Sequence, residues 1–234
     1  MGLEDAAHPN PHHLRQRKGT TPQMVGRYPD YDVLEQQRHW DDATRRVVLD
    51  RVQNTPPFRF FARDEIDTLK AFCDVVTAQD EEPRIPVLAF IDEKLQGGVG
   101  DGWQYFDLPA DGEVWRRLAR GLDDEARKLT FESFARAPEE AQVGIVHRFS
   151  KAELSGGVWE TVNVGRAWKV VMRYVGQAFY SHPWAWSEIG FGGPAYPRGY
   201  GAFGSPHLNE AESWETAENV HYDPVRDVRE RGLD

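Results

Sequence analysis

Apolar residues in this chain return every three or four positions and nowhere alternate over a strand's length, so the faces it can bury are those of helices. The pattern is clearest at Ile66, Leu69, Phe72, Cys73 and Val76, with Asp64, Glu65, Asp67 and Lys70 opposite. Acidic residues at its start suit the positive end of a helix dipole. Leu34, Trp40, Ala43, Val47 and Val48 give an earlier pattern from Tyr31 to Val52, stopped by Asn54-Thr55-Pro56-Pro57. Pro86 opens a short helix carrying Val87, Phe90, Ile91 and Leu95, and Gly97-Gly98 ends it. Further patterns run from Gly112 to Ala135, with Gly121 as a candidate break, from Pro138 through Phe149, and from Val158 to Phe179. The expected fold is all-α, one mostly helical domain over residues 27–204, with a flexible arm at 1–26 and a polar tail at 205–234.

One stretch does not fit the helical pattern. SHPWAWSEIGFGGPAYPRGY, residues 181–200, is dense in Trp, Tyr, Gly and Pro. Its prolines lack donors and its glycines lose the most freedom on ordering, which argues against a regular helix or a central strand. So many large aromatics also argue against a disordered tail. An ordered loop is expected, folded back on its own helices or shaped as a surface for a ligand or another protein.

Composition narrows the function. A net charge of −10 opposes a phosphate-backbone partner, whose binding rests on Lys and Arg. Cys73, the one cysteine, sits among Leu69, Phe72 and Val76 and reads as a buried structural thiol. No apolar run approaches the ~20 residues of a membrane span. The N-terminus has no apolar core after its basic residues, and Arg45-Arg46 lies inside a helical pattern, so neither reads as an export signal. The chain is expected in the cytoplasm, or elsewhere only if an exported partner carries it.

The search for chemistry is mostly negative. GGVGDG at 97–102 invites a phosphate-loop reading, but a helix precedes it, Trp-Gln-Tyr-Phe follows, and its spacing fits neither nucleotide fingerprint. The eight histidines are scattered and offer no metal-ligand spacing. His182 is the histidine to weigh as an acid–base group, since Glu188 and Arg198 share its stretch. Its place after a helix end also fits a structural role, charged against the dipole. No catalytic residue, cofactor site or metal site is assigned from these patterns.

Three segments carry a family resemblance. FFARDEIDTLKAFCDVVTAQDEEPRIPVLAFIDEKL gives an aromatic pair, an acidic helix start, an acidic break and a second short helix. WRRLARGLDDEARKLTFESFARAPEEAQ adds a Gly-Leu-Asp junction and a Pro-Glu-Glu-x-Gln helix start. FYSHPWAWSEIGFGGPAYPRGY looks like a C-terminal signature and is the most specific of the three. Together they make the chain, over about Phe60 to Tyr200, resemble the gluconate 2-dehydrogenase subunit 3 family. The resemblance implies a small accessory subunit without its own flavin. Its partner would be a large FAD-dependent subunit of the glucose-methanol-choline type, in some cases joined by a cytochrome c.

Two departures stand out: Ala62 occupies the position of a Ser or Thr helix cap, and the twin-arginine signal of many members is missing. On this reading His182, Trp184, Trp186, Glu188, Phe191, Tyr196, Arg198 and Tyr200 are candidate partner contacts, because Trp and Tyr bury much area at low entropic cost. Two other classes stay open: a stand-alone helical enzyme using His182 and Glu188, and a carbohydrate-binding module using the aromatic loop.

Overall fold

The computed structural model describes residues 33–80, 82, 84–98, 100–189 and 191–194. The expected N-terminal arm, the polar tail, and Tyr196, Arg198 and Tyr200 lie outside them. Among the described residues the fold is all-α, with seven α-helices, three 3-10 helices and no strand. No described helix is long and apolar enough to cross a membrane. The contacts divide the described residues into two compact units, 55–179 on the one hand and 33–54 with 180–194 on the other.

The unit 55–179 is built from α2 (Arg63–Val76), α3 (Val87–Gln96), α4 (Asp111–Lys128), α5 (Glu139–Ser150) and α6 (Val164–Tyr180). Helix α2 packs on α3, α4 and α5. A chain of rings fills the space between helices: Phe61 to Trp115 (6.2 Å), Trp115 to Phe72 (6.4 Å) and Tyr174 (6.3 Å), and Phe72 to Phe149 (6.3 Å). Cys73 is buried beside them, and burial pushes its thiol pKa well up, as suits an inert core thiol.

The N-terminus of α2 shows what Ala62 changes. Ala62 has no side-chain acceptor for the first turn, but Glu65 reaches back to accept from its backbone N–H (2.9 Å). Half of a capping box therefore survives. Helix α2 ends at Thr77, whose hydroxyl donates to the Cys73 carbonyl (2.7 Å). The Gln79 amide then clasps Ile85 from both sides, accepting from its N–H (2.7 Å) and donating to its carbonyl (3.1 Å), which sets the entry to α3.

Local capping splits three of the expected helices. In the N-terminal pattern, Asp41 accepts from Thr44 N (2.7 Å) and starts α1 (Asp42–Gln53), leaving Val33–His39 as a separate 3-10 helix. Near the C-terminus of the unit, Asn163 accepts from Arg166 N (3.1 Å) and starts α6, so Gly157–Thr161 is a 3-10 turn of its own. Helix α4 stops at Lys128, because Thr130 adopts a φ of 71° and Phe131 N returns to the Ala126 carbonyl (3.0 Å). Gly121 does not break α4: the Trp159 indole lies directly over it, in space that a Cβ would fill.

In the second unit, Val33, Leu34, Trp40 and Val48 form a small core with Leu49, Val52 and Trp186 against it. Here the 181–200 stretch departs from the expected loop, since residues Pro183–Ile189 form a short helix, α7. Pro183 sits at its first position, where a missing N–H costs nothing. Gly193 follows at φ 76°, and a Cβ there would meet Val33 at 3.1 Å and Trp40 at 3.3 Å.

Asp92 is fully buried, and its carboxylate accepts from three backbone N–H groups: Arg59 (2.7 Å), Phe60 (3.0 Å) and Phe61 (2.9 Å). Asp92→Asn turns an amide toward donors and leaves one unpaired. We expect a loss of about 3 kcal/mol, which thermal unfolding would read as a fall in Tm of roughly 10 °C for a chain of this size. An unchanged Tm would mean the 59–61 segment is held by something else.

Candidate functional site

Two places qualify, and they lie in different units. The first is the stretch singled out in the sequence. The His182 carbonyl accepts from Ala185 N (3.0 Å) and Trp186 N (3.3 Å), and its Nδ1 accepts from Trp184 N (3.2 Å). His182 therefore caps the start of α7, two residues beyond the C-terminal end of α6. The ring is 1% exposed and lies 4.7 Å from that of Trp184, which is 7% exposed. Ser187, buried on the same face, accepts from Val33 N (3.1 Å).

The other side of α7 faces outward. Trp186 is half-buried, donates from Nε1 to the Tyr180 carbonyl (2.6 Å) and meets Phe191 edge-on at 5.6 Å. Phe191 is 41% exposed and Ile189 47%, and Glu188 is half-buried between the two faces. Of the eight expected contacts, His182 and Trp184 thus turn inward, while Trp186, Glu188 and Phe191 reach the surface. The sequence did not single out Ile189, although a β-branched apolar residue before glycines was a readable signal.

The second place is an open cavity of about 650 Å³ in the unit 55–179. Phe60, Trp103 and Tyr174 form its aromatic walls, and Gly98, Gly100 and Gly102 line its mouth. Lys94 Nζ donates to Asp101 (2.7 Å) and Gln177 (2.7 Å) and sits 4.7 Å over the Tyr174 ring. Arg173 pairs with Asp101 (2.8 Å) and Asp111 (3.1 Å), its guanidinium 4.5 Å over Trp103. The Tyr174 hydroxyl donates to Asp111 (2.8 Å). Arg116 lies 4.4 Å over Phe60 and donates to the Phe60 carbonyl (3.2 Å).

These contacts bias three titratable groups of the cavity. The Lys94 hydrogen bond holds the Asp101 carboxyl below the usual carboxylate range, and the Arg117 hydrogen bond does the same for Glu113. Burial, helped by Asp111, pushes the Tyr174 phenol above its ordinary value. Asp101 and Glu113 are thus favoured as carboxylates and the Tyr174 phenol in its protonated form.

The cavity residues escaped the sequence reading because they come from positions 60 to 174. Their one local signal was the aromatic run directly after GGVGDG. In that segment Gly97 caps α3, and the next helix starts only at Asp111. Among the described residues no three His, Cys, Asp or Glu side chains converge as a metal site would require.

The inward setting of Trp184 gives a direct test. Trp184→Ala opens a cavity beneath α7 and is expected to cost about 3–5 kcal/mol, read as a lower Tm of the isolated chain. A Tm within a degree or so of wild type would mean that this ring supports nothing in its own unit.

No curated protein and no solved structure matches the chain. The model of the family described as gluconate 2-dehydrogenase subunit 3 does match, over residues 63–193, which is more than half of the chain and includes α7 and the cavity lining other than Phe60. The chain belongs to the gluconate 2-dehydrogenase subunit 3 family.

Proposed function

We propose that this chain is a non-catalytic accessory subunit that binds and stabilises the FAD-dependent catalytic subunit of a sugar or alcohol dehydrogenase. The observation that carries the reading is the family match, whose last matched segment contains α7 and its exposed edge. That edge suits a partner. Ile189 and Phe191 present apolar surface, and Trp186 behind them is fixed by its bond to the Tyr180 carbonyl. A preset aromatic edge loses little freedom on docking. The partner is a flavoprotein of the glucose-methanol-choline type that holds the FAD, joined in some assemblies by a cytochrome c. The chain itself resides in the cytoplasm unless that partner carries it across a membrane.

The enzyme alternative draws no support from His182, which is buried and committed to the α7 cap. In the accessory reading, substitutions on α7 act on turnover only through assembly.

Co-expression with a neighbouring flavoprotein reading frame tests the proposal. A yellow complex is expected to co-purify, while the chain alone turns over no sugar. Ile189→Ser together with Phe191→Ala should weaken the complex by about thirtyfold, the usual loss when an interface anchor worth about 2 kcal/mol is removed. The Tm of the free chain should stay unchanged, because both residues are exposed. Failure of any flavoprotein to associate, or full assembly of the double variant, would contradict the reading.

A further inference from the structure

The cavity of the unit 55–179 has a charge balance that the docking edge does not explain. Its three acids all have cations at ion-pair distance. Asp101 has Lys94 and Arg173, Asp111 has Arg173, and Glu113 has Arg117 (2.9 Å) and Arg120 (3.0 Å). Arg116, which also lines the cavity, pairs with no carboxylate among the described residues. Five cations thus meet three acids, a local excess of positive charge in a chain whose net charge is −10. A cleft of one sign concentrates ligands of the other.

The unpaired guanidinium is held in place. Arg116 is half-buried, lies 4.4 Å over the Phe60 ring and donates to the Phe60 carbonyl (3.2 Å). That ring can stand there because residue 112 is glycine, where a Cβ would collide with its tip. Of the five N–H donors of a guanidinium, the Phe60 carbonyl takes one, and no other acceptor among the described residues takes the rest. A fixed planar fork with spare donors matches a carboxylate, which it can bind through two parallel bonds. A cation would find no unpaired acid, and a phosphate dianion would be repelled by Asp111 and Glu113 in the same space. A neutral group at Arg116 would forgo the charge-assisted bond. A monocarboxylate meets the free fork without displacing any pair.

The walls select the body of the ligand. The volume of about 650 Å³ falls in the range of small-molecule sites, roughly 300 to 1,000 Å³. Arg116 covers a face of Phe60, and Lys94 a face of Tyr174. Trp103 has Arg173 4.5 Å over one face and Tyr105 edge-on at 5.1 Å, yet stays 52% exposed at the cavity. A fixed, half-exposed indole favours a flat aromatic ring, which can stack on it. We propose that this cavity binds an aromatic carboxylate, its charged group held by Arg116 and its ring laid on Trp103. A polyol acid such as gluconate offers the charge without the ring. The site needs nothing from α7 and stands whether or not a flavoprotein binds there.

The test is ligand-observed NMR of the full chain with benzoate and cinnamate as probes. Benzamide, a ring without the charge, and gluconate and inorganic phosphate, anions without a ring, are the comparisons. Saturable binding of at least one aromatic carboxylate is expected, with Kd on the order of 1 mM, and at least tenfold tighter than any comparison. Arg116→Met should weaken it at least tenfold, and Arg116→Lys should restore part of it. Trp103→Ala, at an exposed ring, should weaken it without lowering Tm, which keeps the test open if the Arg116 variants misfold. Trp186→Ala, in the other unit, should leave it intact. No saturable binding of either aromatic carboxylate, equal binding of any comparison, or full binding by Arg116→Met or Trp103→Ala would each overturn the proposal.

Discussion

Asp92 lies in the middle of a ten-residue helix and is wholly buried, a position where a carboxylate survives only with a full set of donors. The donors come from Arg59, Phe60 and Phe61, three successive residues of the extended segment after the Pro56-Pro57 break. That one contact ties the entry of α2 to α3. It sends Phe61 toward Trp115 in the core and holds Phe60 under Arg116 at the cavity wall. Glu125 does a similar task on the other side of the unit. It is 1% exposed and joined to Lys128 (2.5 Å) and Arg148 (2.7 Å), linking α4 to α5. In both cases the buried charge fixes which segments meet, and removing its partners would leave it uncompensated.

The helical class was legible because periodicity records which face is buried, and the faces of α2, α4 and α6 are buried as their spacing implies. The interruptions were harder to read. Asp41 and Asn163 are ordinary polar residues inside helical patterns, and each becomes a boundary only because its side chain turns back to a backbone N–H. Gly121 shows the converse. A lone glycine reads as a break, yet here it makes room for the Trp159 indole across the helix.

The 181–200 stretch was half legible. Its aromatic density set it apart from the helical pattern, but composition gives no direction for each ring. A cap at His182 sets the phase of α7, and that phase sends Trp184 inward and Ile189 outward. The cavity was almost illegible. Its cations, acids and rings are drawn from the segment before α2, from α3, α4 and α6, and from the loop before α4, and each alone reads as an ordinary surface charge or core aromatic. Only the fold brings them together.

The central claim is that the exposed edge of α7 is the face that meets the catalytic subunit. Hydrogen–deuterium exchange of the chain, free and in complex with the flavoprotein, measures this most directly. The account predicts added protection concentrated in residues 183–194, with the amides of α2 and α3 unchanged. Protection elsewhere with none at 183–194 would contradict it.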